Sequence, residues 1–215
     1  MRVISAKEAV NFIKDGDSVM IGGFLGCGSA HNCVDELLAQ GTQNLTLIGN
    51  DTAMADFSYG KLIVSRQVSK VIATHIGTNK ETGRLMSEGV LSVTLVPQGT
   101  LAEKIRAGGY GLGGVLVSTG LGTEVAKDKE IIKVNGKEFL LEVPLRANVA
   151  LIYATKADKY GNLAFDGTTR NFNPIMAMAA DLVICEVEEM VDVLDANHIE
   201  VPSVVVDYIV NGGVK

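Results

Sequence analysis

The stretch Ser18-Val19-Met20-Ile21-Gly22-Gly23-Phe24-Leu25-Gly26-Cys27-Gly28 decides the fold of this chain. Its first part is short and apolar, which is typical of a strand that is covered on both faces of a sheet. Its second part carries four glycines within seven residues and leads into a helical pattern over 30–39. We therefore predict a strand over 18–24, a tight glycine turn and a helix, which together form the first unit of a parallel α/β sheet.

The same alternation of short β-branched runs and helical patterns continues along the chain. Beyond the first unit, the predicted strands are 45–49, 70–74, 92–96, 149–155, 182–186 and 201–206. The other predicted helices are 5–14, 81–89, 101–107 and 174–180. We expect one α/β domain over residues 1–215, with an open, mostly parallel, Rossmann-like sheet that is flanked by helices.

The segment 131–143 departs from this parallel pattern. Two apolar runs, Ile131–Val134 and 139–143, flank the dipeptide Asn135-Gly136. Asn-Gly is a strong hairpin signal, because both central residues of such a two-residue loop take positive φ. We therefore predict an antiparallel hairpin that decorates the parallel core at 131–143, and a second antiparallel turn after residues 160–162.

Composition and charge exclude several classes of function. Hydrophobic residues make up 47% of the chain and charged residues 20%, which favours a packed core over a disordered segment. Lys and Arg number 19 against 25 Asp and Glu, so the net charge is −6. Nucleic acids and anionic membranes attract basic surfaces, so we expect neither as a partner. No apolar run reaches the ~18–20 residues of a membrane span, and the charged first residues predict no signal peptide, so we expect a cytoplasmic protein.

The cysteines and histidines do not predict a metal site. Cys27, Cys33 and Cys185 form no C-x-x-C pair, and the three histidines are scattered along the chain. Metal sites and disulfide frameworks have recognisable ligand spacings, and this pattern matches none of them. We expect all three cysteines to be small buried residues in a reducing compartment, and no bound metal.

The glycine turn is the first candidate binding site, since ligands of open α/β sheets bind outside the carboxyl ends of the strands. Glycine permits close approach of a ligand, and the following helix, with Ser29 as its predicted cap, offers free N–H groups to a phosphate. The spacing nevertheless fits neither the dinucleotide fingerprint, which needs Gly at position 31, nor the P-loop, which needs Lys at position 29. A tight strand–helix junction without a ligand stays open as the alternative.

Gln98 is the second candidate. It lies between the predicted strand that ends at Val96 and a helix with the capping-box pattern Thr100-x-x-Glu103. A neutral amide held at this point can donate a hydrogen bond to a developing oxyanion without adding a charge. The alternative, a turn residue that bonds to its own backbone, also stays open.

Four further polar residues have weaker claims to a functional role. Arg170 is either an anion-binding residue or a structural hydrogen-bond hub. His75, Asp51 and Glu186 follow or end predicted strands, and they are candidates for the acid and base of a sugar-phosphate isomerase. No partner that would make His75 a general base is visible in the sequence.

Seven segments of the chain form an ordered series of motifs. The first runs from Asp15-Gly16 through Val19 to Gly28, and the others are LTLIGNDT (45–52), HIGTN (75–79), VPQGTLAE (96–103), TGLGT (119–123), GNL (161–163) and RNFNP (170–174). This series resembles the α subunits of family I CoA-transferases, in the family's order and over nearly the whole chain. Within this family, the chain looks like the type that acts on acetate, butyrate and acetoacetate. One departure is Ala30, where the family has Pro.

The resemblance implies an acyl exchange without water, metal or ATP. A glutamate attacks an acyl-CoA, a mixed anhydride and then a glutamyl-CoA thioester form, and a second short-chain carboxylic acid takes the CoA. In the family this glutamate lies in a Ser-Glu-Asn-Gly motif on a separate β subunit, whereas the nearest string here is Ser87-Glu88-Gly89. The resemblance therefore implies a chain that is inactive without its β subunit, in an α2β2 assembly, with coenzyme A as co-substrate.

The resemblance also assigns two sites. Gln98 is expected beside the acyl-enzyme carbonyl, where it supports the oxyanion. Coenzyme A is expected at the loop that comprises Gly22, Gly23, Phe24, Leu25, Gly26, Cys27 and Gly28.

An alternative function remains open. On the same scaffold, the chain could be a non-catalytic ligand-sensing module that binds a sugar phosphate or an acyl-CoA.

Overall fold

The computed structural model describes residues 2–213 of the chain. Its helices are α1 (Ala6–Val10), α2 (His31–Gln40), α3 (Gly60–Val64), α4 (Lys80–Ser87), α5 (Gln98–Gly109) and α6 (Asn173–Met178). Its strands are β1 (Arg2–Ile4), β2 (Ser18–Ile21), β3 (Leu45–Ile48), β4 (Val68–Ala73), β5 (Ser92–Leu95), β6 (Val115–Val117), β7 (Ile131–Val134), β8 (Lys137–Glu142), β9 (Ala147–Asp158), β10 (Leu163–Ala164), β11 (Ala180–Val191) and β12 (Tyr208–Asn211). Among these residues, no helix has the length and the apolar composition that crossing a bilayer requires.

The main sheet is parallel along the order β1-β12-β11-β9-β2-β3-β4-β5. β10 adds a short antiparallel pair to β9, which confirms the predicted turn after residues 160–162. The predicted open, mostly parallel sheet flanked by helices is also confirmed. β2 lies inside this sheet, between β9 and β3, so the loop that follows it opens near the middle of the sheet edge.

The strands are apolar because helices cover both faces of the sheet. In β2, Val19 and Ile21 belong to one core cluster with α1–α4, whereas Met20 belongs to a second cluster with α5 and α6. Successive side chains of a strand point to opposite faces, so a strand that is covered twice has no solvent-facing position. This burial explains the uninterrupted apolar run of β2.

The predicted hairpin at 131–143 is confirmed. β7 and β8 pair antiparallel across Asn135 and Gly136, whose φ angles of 49° and 78° are both positive. β6, which was not predicted, pairs with the other side of β8 and completes a three-stranded antiparallel sheet.

The last predicted strand, 201–206, is wrong. This segment contains an isolated bridge at Val201 and a 3-10 helix at Ser203–Val205. Pro202 has no N–H to give to a sheet. Val204 is 87% exposed, whereas Val201 and Val206 at the two ends of the run are buried. The strand lies further on, as β12, between β11 and β1. β1 and α3 were not predicted.

The ends of several elements also differ from the prediction. α1 ends at Val10, and the N–H of Lys14 donates over 2.8 Å to Asp17 in the turn that follows. β9 and β11 each run for 12 residues and pair along their whole length, well beyond the predicted ends.

A cluster of charges around the buried Glu142 joins the antiparallel sheet to the main fold. Glu142 of β8 is 2% exposed, and it accepts hydrogen bonds from Lys104 of α5 at 2.8 Å and from Lys129. Burial by itself raises the pKa of Glu142, but the bonds from both lysines outweigh it and hold the pKa below its usual value. The carboxylate is therefore charged at neutral pH, where it joins α5 to the small sheet.

We expect Glu142→Gln to lower the free energy of unfolding at pH 7 by about 1–3 kcal/mol, because two lysines lose their charged partner. Since the folded-state pKa lies below the unfolded value of about 4.3, this stabilisation is present above that pH and is lost as the pH falls through the folded-state pKa. Urea unfolding at pH 7 and at about pH 4 measures the difference, which should shrink at the lower pH. Glu103→Gln, which removes an exposed pair with Arg106, is the control and should change stability by less than about 1 kcal/mol. Equal effects of the two substitutions would contradict the assignment.

Candidate active site

A cleft of about 400 Å³ opens at the carboxyl ends of the strands. Ligands of open α/β sheets bind at this edge. The lining residues follow β2, β3, β4 and β5 and are Phe24, Leu25, Asn50, Asp51, Thr74, His75, Thr78 and Gln98. The structure thus brings two residues of the glycine loop together with Gln98.

The glycine loop is a tight turn. The N–H of Phe24 donates to the carbonyl of Cys27 over 3.0 Å, and the N–H of Cys27 donates back over 2.9 Å. Leu25 and Gly26, the two central residues, have φ angles of 51° and 83°. A positive φ is unfavourable for leucine, so contacts outside the turn must hold it in this conformation.

At each of the four glycines of the loop, an added Cβ would lie less than 3.0 Å from another atom of the protein. A Cβ on Gly22 would lie 1.7 Å from Oδ1 of Asn173, and a Cβ on Gly26 would lie 2.4 Å from Cε1 of Phe57. Most of the loop's amide groups are also engaged within the protein. Five backbone N–H groups of the loop donate hydrogen bonds to acceptors within the protein, namely those of Gly22, Gly23, Phe24, Leu25 and Cys27. A ligand at this loop therefore meets side chains more than backbone amides.

Two asparagines from the segment 170–174 clamp the loop. Oδ1 of Asn171 accepts the N–H of Gly23 at 3.1 Å, and Nδ2 of Asn171 donates to the carbonyl of Cys27 at 3.1 Å. Nδ2 of Asn173 donates to the carbonyl of Gly28 at 2.9 Å. The sequence predicts no role for these two asparagines. The signal that could have pointed to them is their place in the motif at 170–174.

The carboxylate of Asp51 holds the loop from the other side, and this residue is 1% exposed. Its Oδ2 accepts the N–H of Leu25 and Nδ2 of Asn50, both at 2.8 Å. Its Oδ1 accepts the N–H of Ala53 at 2.7 Å and the hydroxyl of Tyr59 at 2.8 Å. Burial, followed by the charge of Asp51, raises the pKa of the Tyr59 phenol, which keeps that hydroxyl a donor. Asp51 is therefore an anchor of the site.

Gln98 is the first residue of α5, and it is exposed to the cleft. Its Nε2 donates to Oδ1 of Asn50 over 2.6 Å, so it does not serve its own backbone. The predicted capping box is wrong, because the helix starts earlier, with Pro97 before its first residue and no side-chain cap. Glu103 pairs with Arg106 instead. Gln98 is thus attached to the end of a helix rather than to a loose turn.

The N-terminus of α2 is already occupied by an anion of the protein itself. The carboxylate of Glu186, in the middle of β11, accepts the N–H groups of Asn32 at 3.1 Å and Cys33 at 2.9 Å. Burial, followed by the charge of Glu186, raises the pKa of the Cys33 thiol. The predicted cap, Ser29, donates to the carbonyl of Gly22 at 2.6 Å instead. The expectation that α2 offers free N–H groups to a phosphate is therefore wrong.

The structure also tests the expectations for Arg170 and for the three cysteines. Arg170 bonds to Glu200 and, at 2.9 Å, to the carbonyl of Phe165, so it is a structural hub rather than a free anion-binding residue. Cys27 is exposed, which corrects the expectation that all three cysteines are buried, whereas the other two are buried.

The three candidates for isomerase chemistry do not form one acid–base site. His75 and Asp51 both line the cleft, but the oxygens of Asp51 are fully bonded. Glu186 lines a separate cleft with His31 and Tyr153. An isomerase needs its acid and base around one substrate, so this arrangement does not support that reaction.

We expect Gly22→Ala to lower the free energy of unfolding by about 1–3 kcal/mol, because the added methyl group displaces Asn173 from its bonds to the loop. Chemical denaturation of the two proteins measures the change. Gly83→Ala is the matched control, since a Cβ there meets nothing within 4 Å in the middle of α4. That substitution should stabilise the protein by about 0.5–1 kcal/mol. If Gly22→Ala were as stable as the wild type, the close contact with Asn173 would not be the reason for glycine at position 22.

Comparison with curated proteins gives one family. The model of the family described as Coenzyme A transferase matches residues 3–212. Acetate CoA-transferase subunit alpha of Escherichia coli (strain K12) is 49% identical over 211 residues, which cover 97% of this chain and 96% of that protein. The acetoacetyl-CoA:acetate/butyrate CoA transferase alpha subunit of Clostridium acetobutylicum is also 49% identical over 211 residues, with 97% of each chain covered.

A solved structure with the same fold is the acyl-CoA transferase from E. coli O157:H7 in its thioester complex with CoA, with a TM-score of 0.84 and 22% identity. The alignment covers 97% of this chain and 46% of that one, so this chain spans about half of its length. The family match and the two curated relatives agree with the motif series that runs through the chain. The chain belongs to the coenzyme A transferase family.

Proposed function

We propose that the chain is the α subunit of a heteromeric CoA-transferase, which moves CoA between an acyl-CoA and a short-chain carboxylic acid. The observation that carries the proposal is the composition of the cleft. Asp51 is the one acidic residue among the described residues that line the cleft. Both of its carboxylate oxygens already accept hydrogen bonds from donors of the protein. The cleft thus holds an amide donor, Gln98, and no free carboxylate of its own. The attacking carboxylate therefore comes from a β subunit.

The proposed reaction proceeds by two acyl exchanges. A glutamate oxygen of the β subunit attacks the acyl carbonyl, the C–S bond breaks, and CoA leaves as a thiolate while a mixed anhydride forms. The thiolate then attacks the glutamyl carbonyl, which releases the first carboxylate and forms the glutamyl-CoA thioester. A second carboxylate takes the CoA by the reverse steps. Each addition places negative charge on a carbonyl oxygen, and Nε2 of Gln98 is the donor that stabilises it.

We place the co-substrate, coenzyme A, along the glycine loop at residues 22–28. Phe24 is 47% exposed and lines the cleft beside Leu25, and Cys27 is also exposed. Since most of the amide groups of the loop are bonded within the protein, these side chains supply the contacts. An exposed apolar surface of this kind suits the uncharged thiol-bearing arm of CoA better than its phosphates. The α2 N-terminus takes no part, because Glu186 fills it.

The substrate class rests on the relatives and on the size of the cleft. The name of the E. coli relative gives acetate as its substrate. The name of the C. acetobutylicum relative gives acetoacetyl-CoA with acetate or butyrate. A cleft of about 400 Å³ is within the usual range for small-molecule sites. We accordingly propose acetyl, butyryl or acetoacetyl groups. We also propose an α2β2 assembly, which the family resemblance implies, and a cytoplasmic location. These relatives do not favour the alternative of a ligand-sensing module.

Reconstitution tests the proposal. We expect the purified chain alone to exchange no CoA between acetyl-CoA and acetoacetate, because the residues that the structure describes around the cleft offer no free carboxylate. The mixture with the β subunit encoded in the same genome should be active. Borohydride reduction of the thioester, followed by peptide mapping, should then place the modified glutamate on the β subunit. Full activity of the lone chain, or a modified acidic residue within it, would contradict the proposal.

A further inference from the structure

A chain of side-chain hydrogen bonds joins the buried Asp51 to the exposed Gln98. Oδ2 of Asp51 accepts Nδ2 of Asn50 at 2.8 Å, and Oδ1 of Asn50 accepts Nε2 of Gln98 at 2.6 Å. Asn50 and Asp51 follow β3, whereas Gln98 begins α5. These bonds therefore connect two separate elements of the fold at the floor of the cleft.

The direction of the first bond follows from the charge of Asp51. Its other partners, the N–H of Leu25, the N–H of Ala53 and the hydroxyl of Tyr59, all donate to it, and an ionised carboxylate accepts hydrogen bonds and donates none. Asn50 must therefore turn its Nδ2 toward Asp51, which leaves its Oδ1 toward Gln98. Thr74 keeps the backbone of Asn50 in place, because its N–H and its hydroxyl donate to the Asn50 carbonyl at 2.8 and 2.7 Å.

The direction of the second bond follows from the first. Since Oδ1 of Asn50 is an acceptor, Gln98 must present Nε2 to it rather than Oε1, because two facing acceptors repel. An amide nitrogen carries two hydrogens, and Asn50 uses one of them. The other is left for the cleft, to which Gln98 is exposed.

We infer that Asn50 and Asp51 are positioning residues, which hold the Gln98 amide with an N–H toward the cleft, as an oxyanion donor requires. This inference rests on the proposed role of Gln98 in CoA transfer. The same Oδ2 of Asp51 also accepts the N–H of Leu25 at 2.8 Å. One carboxylate oxygen thus sets both the turn of the glycine loop and the orientation of the amide.

The test is a double-mutant cycle of Asn50→Ala and Gln98→Ala, assayed in the complex with the β subunit. A substitution of Asp51 would leave buried donors without acceptors and risks loss of folding, whereas Asn50→Ala keeps the Asp51 anchor. The readouts are kcat for CoA transfer, KM for acyl-CoA and the midpoint of thermal unfolding.

We expect Gln98→Ala to lower kcat by about 10²–10³-fold, the usual effect of losing one oxyanion donor. Asn50→Ala should lower kcat by about tenfold in the wild-type background, with KM for acyl-CoA changed by less than about twofold. In the Gln98→Ala background, Asn50→Ala should change kcat by less than about twofold, because residues that act through one group are not additive.

Asn148→Ala is the matched control. Oδ1 of Asn148 accepts the N–H of Ser18 at 2.9 Å, at the amino end of β2 and therefore away from the cleft. Its removal also breaks a hydrogen bond between two chain segments, but it should leave kcat unchanged in both backgrounds.

The outcomes separate this inference from the proposed function. A large loss in Gln98→Ala, together with an equal loss from Asn50→Ala in both backgrounds, overturns the positioning role alone. An effect of Asn50→Ala that is confined to KM or to the unfolding midpoint overturns it as well. If Gln98→Ala retains the wild-type kcat, the proposed role of Gln98 fails, and the positioning role fails with it.

Discussion

The buried carboxylate of Asp51 is the constraint on which the geometry of the cleft depends. A buried charge is strongly unfavourable unless its oxygens are bonded, and here donors from the glycine loop, from the next residues of the chain and from Asn50 satisfy it. Leu25 and Ala53 have φ angles of 51° and 49°, which cost a non-glycine residue about 1–3 kcal/mol each. Both donate their N–H to Asp51, so the bonds to this charge hold the strained backbone in place.

Two buried carboxylates hold the backbone at the glycine loop and at the start of α2. Asp51 anchors the glycine loop, and Glu186 fills the N-terminus of α2, so both carboxylates are bonded to backbone N–H groups. A nucleophilic carboxylate has to be free to attack. In the proposed function this chain supplies a shaped surface and an amide donor, while the partner supplies the nucleophile.

The parts of the fold that could be predicted from the sequence are those decided by short-range chemistry. β2 is apolar at every core position because both of its faces are covered, and Asn135-Gly136 forms the hairpin because both residues adopt positive φ. The glycine loop and Gln98 were singled out by their positions after strands, and the family resemblance gave each a role.

The contacts that could not be predicted join residues far apart in the chain. The N–H of Asn32 meets Glu186 154 residues later, and the N–H of Gly23 meets Asn171 148 residues later. Ser29 looked like the cap of α2 because serine is a preferred capping residue. The carboxylate of Glu186, from a distant strand, accepts the N–H groups at that helix end instead, where the helix dipole favours an acidic side chain. No local pattern carries such information.

The most direct test of the account is a crystal structure of the complex with the β subunit, trapped as the CoA thioester. We expect the thioester on a glutamate of the β subunit, with its carbonyl oxygen about 2.7–3.1 Å from Nε2 of Gln98. Nε2 should still donate to Oδ1 of Asn50, and Asn50 should still donate to Asp51. A Gln98 amide that points away from the thioester, or a thioester on an acidic residue of this chain, would contradict the account.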